Sequence, residues 1–308
     1  MQWGVRLHED ELEIDLPLVR ALVDRAVPGY AGRPLKPLAA SGSSNALFRL
    51  GDDLVMRLPR QPGGSATIDK EARWLPYLAA ALPVTIPEVV LVGPPGLGYP
   101  ERWSIVRWIE GSPPEPHTGG DGLARELAEL LAALAALPVP AEALADPALH
   151  WYRGAPLASF DATMRASLAD CRQLPGLDLD VNACEQMWNS AIALAGSAQP
   201  VEPRWLHADL LAENLLVRDG RLAAVLDFGA LTVGDPTVDL IAGWEVLDPS
   251  GRVVFRSLLD VDEASWERGR AWALAIAVMT FPYYGKTMPG RCADRLAMAQ
   301  AVLADAGC

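Results

Sequence analysis

Lysine is scarce in this sequence, and basic residues as a group are outnumbered. Three of the 308 residues are lysines, and 39 acidic residues against 26 basic ones leave a net charge of −13 at pH 7. A nucleic-acid-binding surface needs clustered lysine and arginine, so this balance argues against a nucleic-acid partner. The negative charge is compatible with a cationic small-molecule substrate, although net charge alone does not establish one.

Cysteine pairs and long hydrophobic runs are also lacking. The four cysteines form no CxxC pair, which excludes a zinc ribbon or a thioredoxin-like motif and favours a reduced, cytoplasmic protein. Residues 1–15 contain five acidic residues and no apolar core segment, unlike a signal peptide. The two most apolar windows, residues 123–137 and 272–281, are interrupted by charges or too short to cross a bilayer. We expect a cytoplasmic monomer or homodimer without a membrane partner.

The first third of the chain has the pattern of short strands accompanied by two helices. Gly51-Asp52-Asp53 supplies a tight turn between two of the strands. Strands are expected over residues 35–40, 46–50, 54–58, 89–92 and 104–106, and helices over residues 16–27 and 66–81.

Beyond residues 108–116, a Gly/Pro-containing candidate linker, the pattern becomes mainly helical. Residues 205–239 interrupt it with short apolar runs and turn signals. Helices are expected over residues 122–137, 160–173, 184–195 and 264–281. We expect an α+β fold with a small β-rich lobe over residues 1–107, a linker over 108–116 and a larger, mainly helical lobe over 117–308.

The interrupting segment contains a hairpin signal, Asp219-Gly220 between two apolar runs. If the turn has two residues, Asn214 faces Val225, and Asp227 lies two residues further along the same face, roughly 7–8 Å from Asn214. Amide and carboxylate oxygens are ligands that suit Mg²⁺ together with phosphate and water. Asp209, five residues before Asn214, is expected in the loop that leads into the hairpin.

The motifs of this segment resemble those of a known family. HxDxxxxN over residues 207–214, followed by Asp-Phe-Gly, resembles the catalytic loop and metal motif of the protein-kinase-like fold. GDPTVDL over residues 234–240 resembles the aminoglycoside phosphotransferase family in particular. Three further matches resemble an actinobacterial-type branch of that family: LVMRLPR (54–60), EARWLP (71–76) and FPYY (281–284).

This resemblance implies a bilobal protein-kinase-like fold and a Mg²⁺-dependent small-molecule kinase that uses ATP or GTP. Asp209 is then the catalytic base, and Asn214 and Asp227 are the Mg²⁺ ligands. The implied acceptor is a hydroxyl of an aminoglycoside or a similar antibiotic or metabolite. The alternatives are a macrolide or non-antibiotic metabolite as acceptor, and an inactive nucleotide-binding module. A protein kinase is disfavoured because only eight positions separate Asp227 from Asp235, and no Ala-Pro-Glu follows.

The nucleotide-binding part departs from the protein-kinase pattern. Neither GxGxxG nor GxxxxGK[ST] occurs, and Ser43 and Ser44, in the polar loop over residues 41–45, are the candidates for phosphate contact. Arg57 stands where protein kinases have a strand lysine, and Glu71 is its expected partner. An exposed pair of this type is worth only about 0–1 kcal/mol, so we expect it to orient Arg57 toward phosphate rather than to stabilise the fold.

By the same resemblance, adenine recognition is expected from backbone groups of residues Arg107 to Ile109. Arg57 has a simpler interpretation as a surface arginine, and the serine loop as a plain hairpin loop. Asp209 alone is compatible with a helix cap, and Asn214 alone with a turn.

Three residues around the motifs have expected roles outside the chemistry, and two others depart from the family pattern. His207 is expected to hydrogen-bond the loop backbone, and Asp235 and Asp239 to anchor the loop after the metal site. Ala208 replaces the glycine usual in the family. Glu213 also departs from the family pattern, and contact with metal, with a cationic substrate or with solvent stays open for it.

The helical lobe contains two sets of residues that bear on the substrate. The acidic set suits a polyamine, and the aromatic set suits a more apolar pocket, although a solvated face and a core explain most members. The acidic set is Asp161, Glu245, Asp248, Asp260, Asp262 and Glu263, and the aromatic set is Trp151, Tyr152, Trp244, Trp272, Tyr283 and Tyr284.

Overall fold

The computed structural model describes residues 8, 10–38, 43–195 and 201–307. Parts of three predictions therefore lie outside the described residues: the segment 1–7, the strand residues 39–40, and Ser41 and Gly42 of the serine loop. The chain divides into two compact units, which we call the first unit (Met1–Ala80 and Ile86–Glu110) and the second unit (Ala81–Thr85 and Gly111–Cys308). The first contains a five-stranded sheet and the second is mainly helical, which confirms the α+β prediction.

The first unit is an antiparallel sheet with two helices. Its strands pair in the order β1-β2-β3-β5-β4, and β3 is buried at all six positions because it lies inside the sheet. The strands are β1 Leu35–Pro37, β2 Asn45–Leu50, β3 Leu54–Pro59, β4 Val89–Gly93 and β5 Trp103–Arg107, and the helices are α1 Leu16–Ala26 and α2 Ser65–Ala79.

Apolar burial and one remote carboxylate hold the helices of the first unit. Val19 and Val23 of α1 pack in one core with sheet residues such as Met56. The first turn of α2 is capped by buried Glu101, whose carboxylate accepts hydrogen bonds from the backbone N–H groups of Ser65 (2.7 Å) and Gly63 (2.8 Å). A carboxylate at a helix N-terminus satisfies unpaired N–H groups and the helix dipole, so α2 is fixed at its start.

The second unit is built around the long helix α9. This helix is buried on most of its surface, and it contacts α5, α6, α10 and the 3₁₀ turn Pro236–Ile241. In the described part of the chain, no helix is long and apolar enough to span a membrane. The helices are α3 Asp121–Ala136, α4 Ala141–Leu144, α5 Asp161–Arg172, α6 Val181–Ala195, α7 Ala242–Glu245, α8 Pro249–Leu259, α9 Glu263–Tyr284 and α10 Pro289–Ala306.

Two small antiparallel pairs lie among these helices. Strand β6 (Arg204–Leu206) pairs with β9 (Thr232–Gly234), and β7 (Leu215–Arg218) pairs with β8 (Arg221–Val225). The turn between β7 and β8 is the predicted Asp219-Gly220, with positive φ at both residues, as a type I′ turn requires.

The predicted register of this hairpin is wrong by one residue beyond its middle. Arg218 faces Arg221 as predicted, but the register shifts between Leu216 and Val217, so that Val225 faces Leu215 rather than Asn214. Asn214 instead accepts a hydrogen bond at its backbone oxygen from the N–H of Leu226, at 2.7 Å. A β-bulge of this kind inserts one residue into one strand and re-aims the residues beyond it.

Candidate active site

The loop between β6 and the hairpin, which we call the catalytic loop (residues 207–214), is anchored by a buried carboxylate. Both oxygens of Asp239 accept hydrogen bonds from the loop backbone, from the N–H of His207 at 2.8 Å and of Ala208 at 2.6 Å. Burial raises the pKa of Asp239 to about 7, against the effect of these two donors. Asp239 therefore anchors the start of the catalytic loop and not, as predicted, the loop after the metal site.

His207 is buried and holds the two sides of the loop together. Its Nε2 lies 2.8 Å from the backbone oxygen of Leu226, and its Nδ1 accepts a hydrogen bond from the N–H of Asp209 at 3.2 Å. Burial lowers the pKa of His207, so the ring is neutral, and only the tautomer with hydrogen on Nε2 satisfies both contacts. His207 thus bonds to the loop backbone.

Asp209 and Asn214 are in direct contact. The Nδ2 group of Asn214 donates to the backbone oxygen and to Oδ2 of Asp209, at 2.9 Å each. In the described residues no hydrogen bond reaches Oδ1 of Asn214, so this oxygen is open to a ligand. The structure therefore brings two of the predicted site residues together, at the end of the loop where the hairpin begins.

Arg153 also contacts Asp209, a contact that no motif predicted. Its Nη1 forms an ion pair with Oδ1 of Asp209 and donates to the backbone oxygen of Ala208 at 2.8 Å. Burial alone would raise the pKa of Asp209, but the Arg153 guanidinium outweighs it, and the pKa lies below the ordinary value. The candidate base is therefore ionised, with one oxygen held by Arg153 and the other by Asn214.

A close approach of two glycines sets the position of Arg153. Arg153 lies in the 3₁₀ turn Tyr152–Gly154, and the backbone oxygen of Gly154 accepts a hydrogen bond from the N–H of Asp235 at 2.9 Å. A Cβ atom at Gly234 would lie 2.0 Å from that oxygen, closer than any real contact. Only glycine at 234 permits this approach.

Asp235 acts as the anchor expected of it. Its carboxylate caps the turn Pro236–Ile241 by accepting from the N–H of Thr237 at 3.0 Å, and it pairs with buried Arg268 at 3.1 Å.

Asp227 follows β8 with a left-handed backbone, at φ 54° and ψ 69°. Its Oδ1 accepts a hydrogen bond from the N–H of Gly229 at 3.3 Å. Left-handed non-glycine residues cost energy and are often found at functional sites. Asp227 directly follows Leu226, whose backbone N–H donates a hydrogen bond to the backbone oxygen of Asn214.

This pair of residues suits a metal that brings its other ligands with it. The described residues contain no cluster of three or more His, Cys, Asp or Glu side chains able to hold a metal ion. Mg²⁺ is commonly bound through one or two protein oxygens together with substrate phosphates and water. The open amide oxygen of Asn214 and the carboxylate of Asp227 fit that donor set.

Glu213 forms ion pairs with two arginines of α10 and keeps 37% of its side chain exposed. It pairs with Arg291 at 3.0 Å and with Arg295 at 3.3 Å. Arg295 is buried and also pairs with Glu245 at 2.7 Å, and Glu245 accepts a hydrogen bond from the N–H of Ala212 at 2.6 Å. The residue left open by the sequence thus ties the catalytic loop to helix α10.

In the first unit, the predicted pair of Arg57 and Glu71 is formed. Nη1 of Arg57 lies 2.5 Å from Oε2 of Glu71, and Nη2 lies 3.0 Å from Oε1, so the contact is bidentate. The expectation of an exposed pair with little effect on stability is wrong, because both side chains are buried (8% and 1% exposed). Removing one partner of a buried pair leaves an uncompensated charge.

The remaining nucleotide candidates lie next to the ends of strands β2 and β5. Ser43 and Ser44 precede β2, and both are at least partly accessible to solvent. The N–H of Arg107 donates to the backbone oxygen of Glu88 at 3.0 Å, and its exposed side chain pairs with Asp53 and Glu88. Over the described residues, no backbone partner is found for the N–H of Ile109. Of these two, Ile109 has the N–H that is open to a base.

Most of the acidic set has hydrogen-bond or ion-pair partners within the second unit, although some members remain exposed. Asp248 and Asp262 cap α8 and α9, and Asp161 bonds to Arg165 and to the indole of Trp188. Glu263 pairs with Arg256. These contacts give most of the set a structural role, so the set by itself does not indicate a polyamine substrate.

The aromatic set divides into core and surface. Trp244 and Trp272 are fully buried core residues, whereas Trp151 and Tyr283 are exposed and Tyr152 and Tyr284 are partly exposed. Tyr152 stacks on Phe160 with ring centroids 5.3 Å apart. An aromatic surface therefore adjoins Arg153 in sequence and contacts.

Comparison with known proteins gives a family and a fold. The model of a family described as "Phosphotransferase enzyme family" matches residues 35–272. Among curated proteins, none matches the sequence.

Solved structures are similar along nearly the whole chain. The GDP and kanamycin complex of APH(2")-IIia is 19% identical, with a TM-score of 0.70, and covers 94% of this chain and 98% of its own. The streptomycin–ATP ternary complex of APH(2")-IIa is 18% identical, with a TM-score of 0.60, and covers 95% and 99%. Macrolide 2'-phosphotransferase MphH from Brachybacterium faecium is 23% identical, with a TM-score of 0.60, and covers 94% and 97%. These similarities confirm the protein-kinase-like fold.

Proposed function

The chain belongs to the phosphotransferase enzyme family, and on that premise we propose that it transfers the γ-phosphate of ATP or GTP to a hydroxyl group of a small molecule. One observation carries this proposal: Asp209 is ionised, is held by Asn214 and Arg153, and lies in the loop that leads to Asp227. Phosphoryl transfer needs positioning and electrostatic stabilisation more than covalent chemistry from the protein. The catalytic loop supplies both.

In this proposal Asp209 orients the acceptor hydroxyl and accepts its proton. A carboxylate oxygen can accept more than one hydrogen bond, so the contacts with Arg153 and Asn214 leave room for the hydroxyl. The two contacts fix the carboxylate in one orientation. The lowered pKa keeps Asp209 unprotonated and ready to accept a proton at neutral pH.

Asn214 and Asp227 would hold Mg²⁺, which supplies charge neutralisation at the nucleotide phosphates when bound. The amide group of Asn214 has a fixed orientation, because its Nδ2 donates twice to Asp209. These two hydrogen bonds therefore also fix the direction of the amide oxygen, Oδ1, which is the atom proposed to bind Mg²⁺. The left-handed backbone of Asp227 sets the second ligand directly after β8.

The first unit contributes candidates for nucleotide contact. Glu71 fixes the guanidinium of Arg57 in a bidentate contact, and an arginine oriented in this way can bind phosphate oxygens. We propose Ser43 and Ser44 as further phosphate contacts and the backbone of Ile109, in place of that of Arg107, as the adenine contact.

The acceptor is proposed only as a hydroxyl-bearing small molecule. Among the similar structures, one complex contains kanamycin, another contains streptomycin, and a third protein is a macrolide phosphotransferase. Aminoglycosides and macrolides are therefore the first two classes to screen, followed by hydroxylated metabolites.

The decisive experiment is acceptor-dependent ADP or GDP release by the purified chain with Mg²⁺. We expect at least one acceptor to raise the release rate above the background without acceptor, and we expect that increase to disappear in Asp227→Ala. Nucleotide binding without any acceptor-dependent release, across all three classes, would instead favour the inactive nucleotide-binding module. Loss of Mg²⁺-dependent nucleotide binding in Asp227→Ala, measured by calorimetry, would support the metal assignment separately.

A further inference from the structure

The acidic residues of the catalytic loop are already neutralised by arginines of the second unit. Asp209 pairs with Arg153, and Glu213 pairs with both Arg291 and Arg295. The overall charge of −13 is thus not the local charge of this loop. An ammonium group that entered beside the reacting hydroxyl would therefore meet carboxylates whose negative charge is already offset by a guanidinium.

Arg153 is held in place by several contacts. Besides Asp209, it contacts the backbone oxygen of Ala208 at 2.8 Å, and its Nε donates to the hydroxyl of Tyr152 at 3.1 Å. Its guanidinium lies 4.8 Å from the ring centre of Trp151, a cation–π distance. Arginine stays protonated throughout the accessible pH range, so this positive charge is permanent.

The surface next to Arg153 is aromatic rather than acidic. Trp151 is 36% exposed, and its ring packs edge-on against Tyr152 at 4.7 Å. On the side of α10, Arg291 lies 5.0 Å from the ring of Tyr284, which packs against the exposed Tyr283. Each of these aromatic pairs is accompanied by an arginine that contacts a carboxylate of the loop. Aromatic faces bind apolar ring surfaces, and their arginines repel additional cations.

Resting on the kinase function proposed above, we propose that the acceptor presents its reacting hydroxyl in an apolar part of the molecule without ammonium groups, and that Arg153 sets this preference. Polyamine hydroxyl compounds are then excluded by charge, although the similar structures include aminoglycoside complexes. Arg153 acts as a specificity-determining residue, since it occupies the negative charge of Asp209 that an acceptor ammonium would otherwise use.

Binding of kanamycin tests the charge exclusion directly, because per-N-acetylated kanamycin has the same hydroxyls without the ammonium groups. By calorimetry, we expect Arg153→Gln to bind kanamycin about tenfold or more tightly than the wild type, because a repulsive charge is removed and a carboxylate is freed. The affinity for the N-acetylated compound should change by less than about threefold, because this compound has no ammonium group for Arg153 to repel. Arg153→Lys keeps the positive charge, so its affinity for kanamycin should match that of the wild type.

Arg165→Gln is the matched control, because Arg165 is an exposed arginine of the same unit that pairs with Asp161. Thermal melting of every variant checks that the fold is kept, and the wild-type comparison of kanamycin with N-acetylated kanamycin serves as the test if Arg153→Gln does not fold. The inference is overturned if kanamycin affinity does not increase in Arg153→Gln. It is also overturned if Arg153→Lys lowers the affinity for kanamycin relative to the affinity for the N-acetylated compound.

Turnover separates this inference from the proposed function. We expect wild-type kcat/KM to be higher for N-acetylated kanamycin and other uncharged hydroxyl compounds than for kanamycin, and the ratio to shift toward kanamycin in Arg153→Gln. If kanamycin is the better wild-type acceptor, the inference fails while the kinase function stands. If no acceptor is phosphorylated but kanamycin binding responds to Arg153→Gln, the kinase function fails while the charge exclusion stands.

Discussion

The Arg57–Glu71 pair of the first unit is bidentate and almost fully buried, whereas the Arg153–Asp209 pair of the second unit uses one carboxylate oxygen and leaves 24% of the aspartate side chain exposed. The guanidinium and the carboxylate therefore have opposite roles in the two pairs. In the first pair the carboxylate serves the arginine, by fixing it. In the second pair the arginine serves the carboxylate, which stays accessible for chemistry.

The largest expected effect comes from the accessible carboxylate. Asp209→Asn should lower turnover by about 10²–10⁴-fold, because the amide cannot accept the hydroxyl proton, while the fold is kept. Acceptor-dependent ADP release gives the rate. The matched control is Asp219→Asn in the hairpin turn, where the left-handed backbone (φ 55°) accepts asparagine. A variant Asp209→Asn with more than half of the wild-type rate would contradict the assignment.

Stability distinguishes the buried pair from an exposed one. Glu71→Gln should reduce the free energy of unfolding by about 3–5 kcal/mol, because it removes the buried negative charge that contacts the Arg57 guanidinium at two atoms. Urea denaturation measures this loss. As a control, Glu185→Gln removes a partner of Arg172 in an exposed pair and should cost about 0–1 kcal/mol. Equal losses of unfolding free energy in Glu71→Gln and Glu185→Gln would mean that burial does not make an ion pair more costly to break.

Nucleotide affinity tests what the buried pair is for. Arg57→Lys should raise the KM for the nucleotide but keep part of the activity, because the charge remains while the bidentate geometry is lost. Arg57→Ala should raise this KM further and also destabilise the first unit. Steady-state kinetics at saturating acceptor measure both. Wild-type nucleotide KM in Arg57→Lys, together with normal stability, would remove Arg57 from the phosphate contacts.

The smallest expected effect concerns the backbone beside Asp209. Ala208 has φ 64°, a left-handed conformation that disfavours residues with a Cβ, whereas Arg57 lies in a regular strand. Ala208→Gly should change the free energy of unfolding by less than about 1 kcal/mol, because relieved strain offsets the added freedom of the unfolded chain. Ala212→Gly, in the 3₁₀ turn Ala212–Asn214, has no such relief and should lose stability. Similar losses of unfolding free energy in Ala208→Gly and Ala212→Gly would mean that the backbone of Ala208 is unstrained.

The sequence predicted the architecture well where apolar periodicity is strong. The five strands of the first unit and helices α3, α5 and α9 lie within a few residues of their predicted bounds, apart from the part of the first strand that the structure does not describe. Helices α8 and α10 were not predicted. The omission of α10 mattered, because α10 supplies Arg291 and Arg295, the partners that settle the position of Glu213.

The hairpin register and Arg153 show what a sequence pattern does not contain. The run Leu222–Val225 is apolar throughout, so no polar residue in it specifies the register with β7. A one-residue bulge in this run therefore buries only apolar side chains in either register. Arg153 lies in no motif, and 56 residues separate it from Asp209. The contact arises from the packing of the turn Tyr152–Gly154, which is a tertiary property. The motif residues Asp209 and Asn214, by contrast, are close in sequence.

The close approach of Gly234 to Gly154 has a consequence for directed evolution. A side chain at position 234 would press on the backbone oxygen of Gly154, one residue from Arg153. Libraries designed from side chains near Asp209 would pass over this position, since it has no functional atom to offer. Yet a single methyl group there would move the neighbouring arginine relative to the base. Screening alanine and serine at 234 is therefore an indirect route to altered acceptor choice.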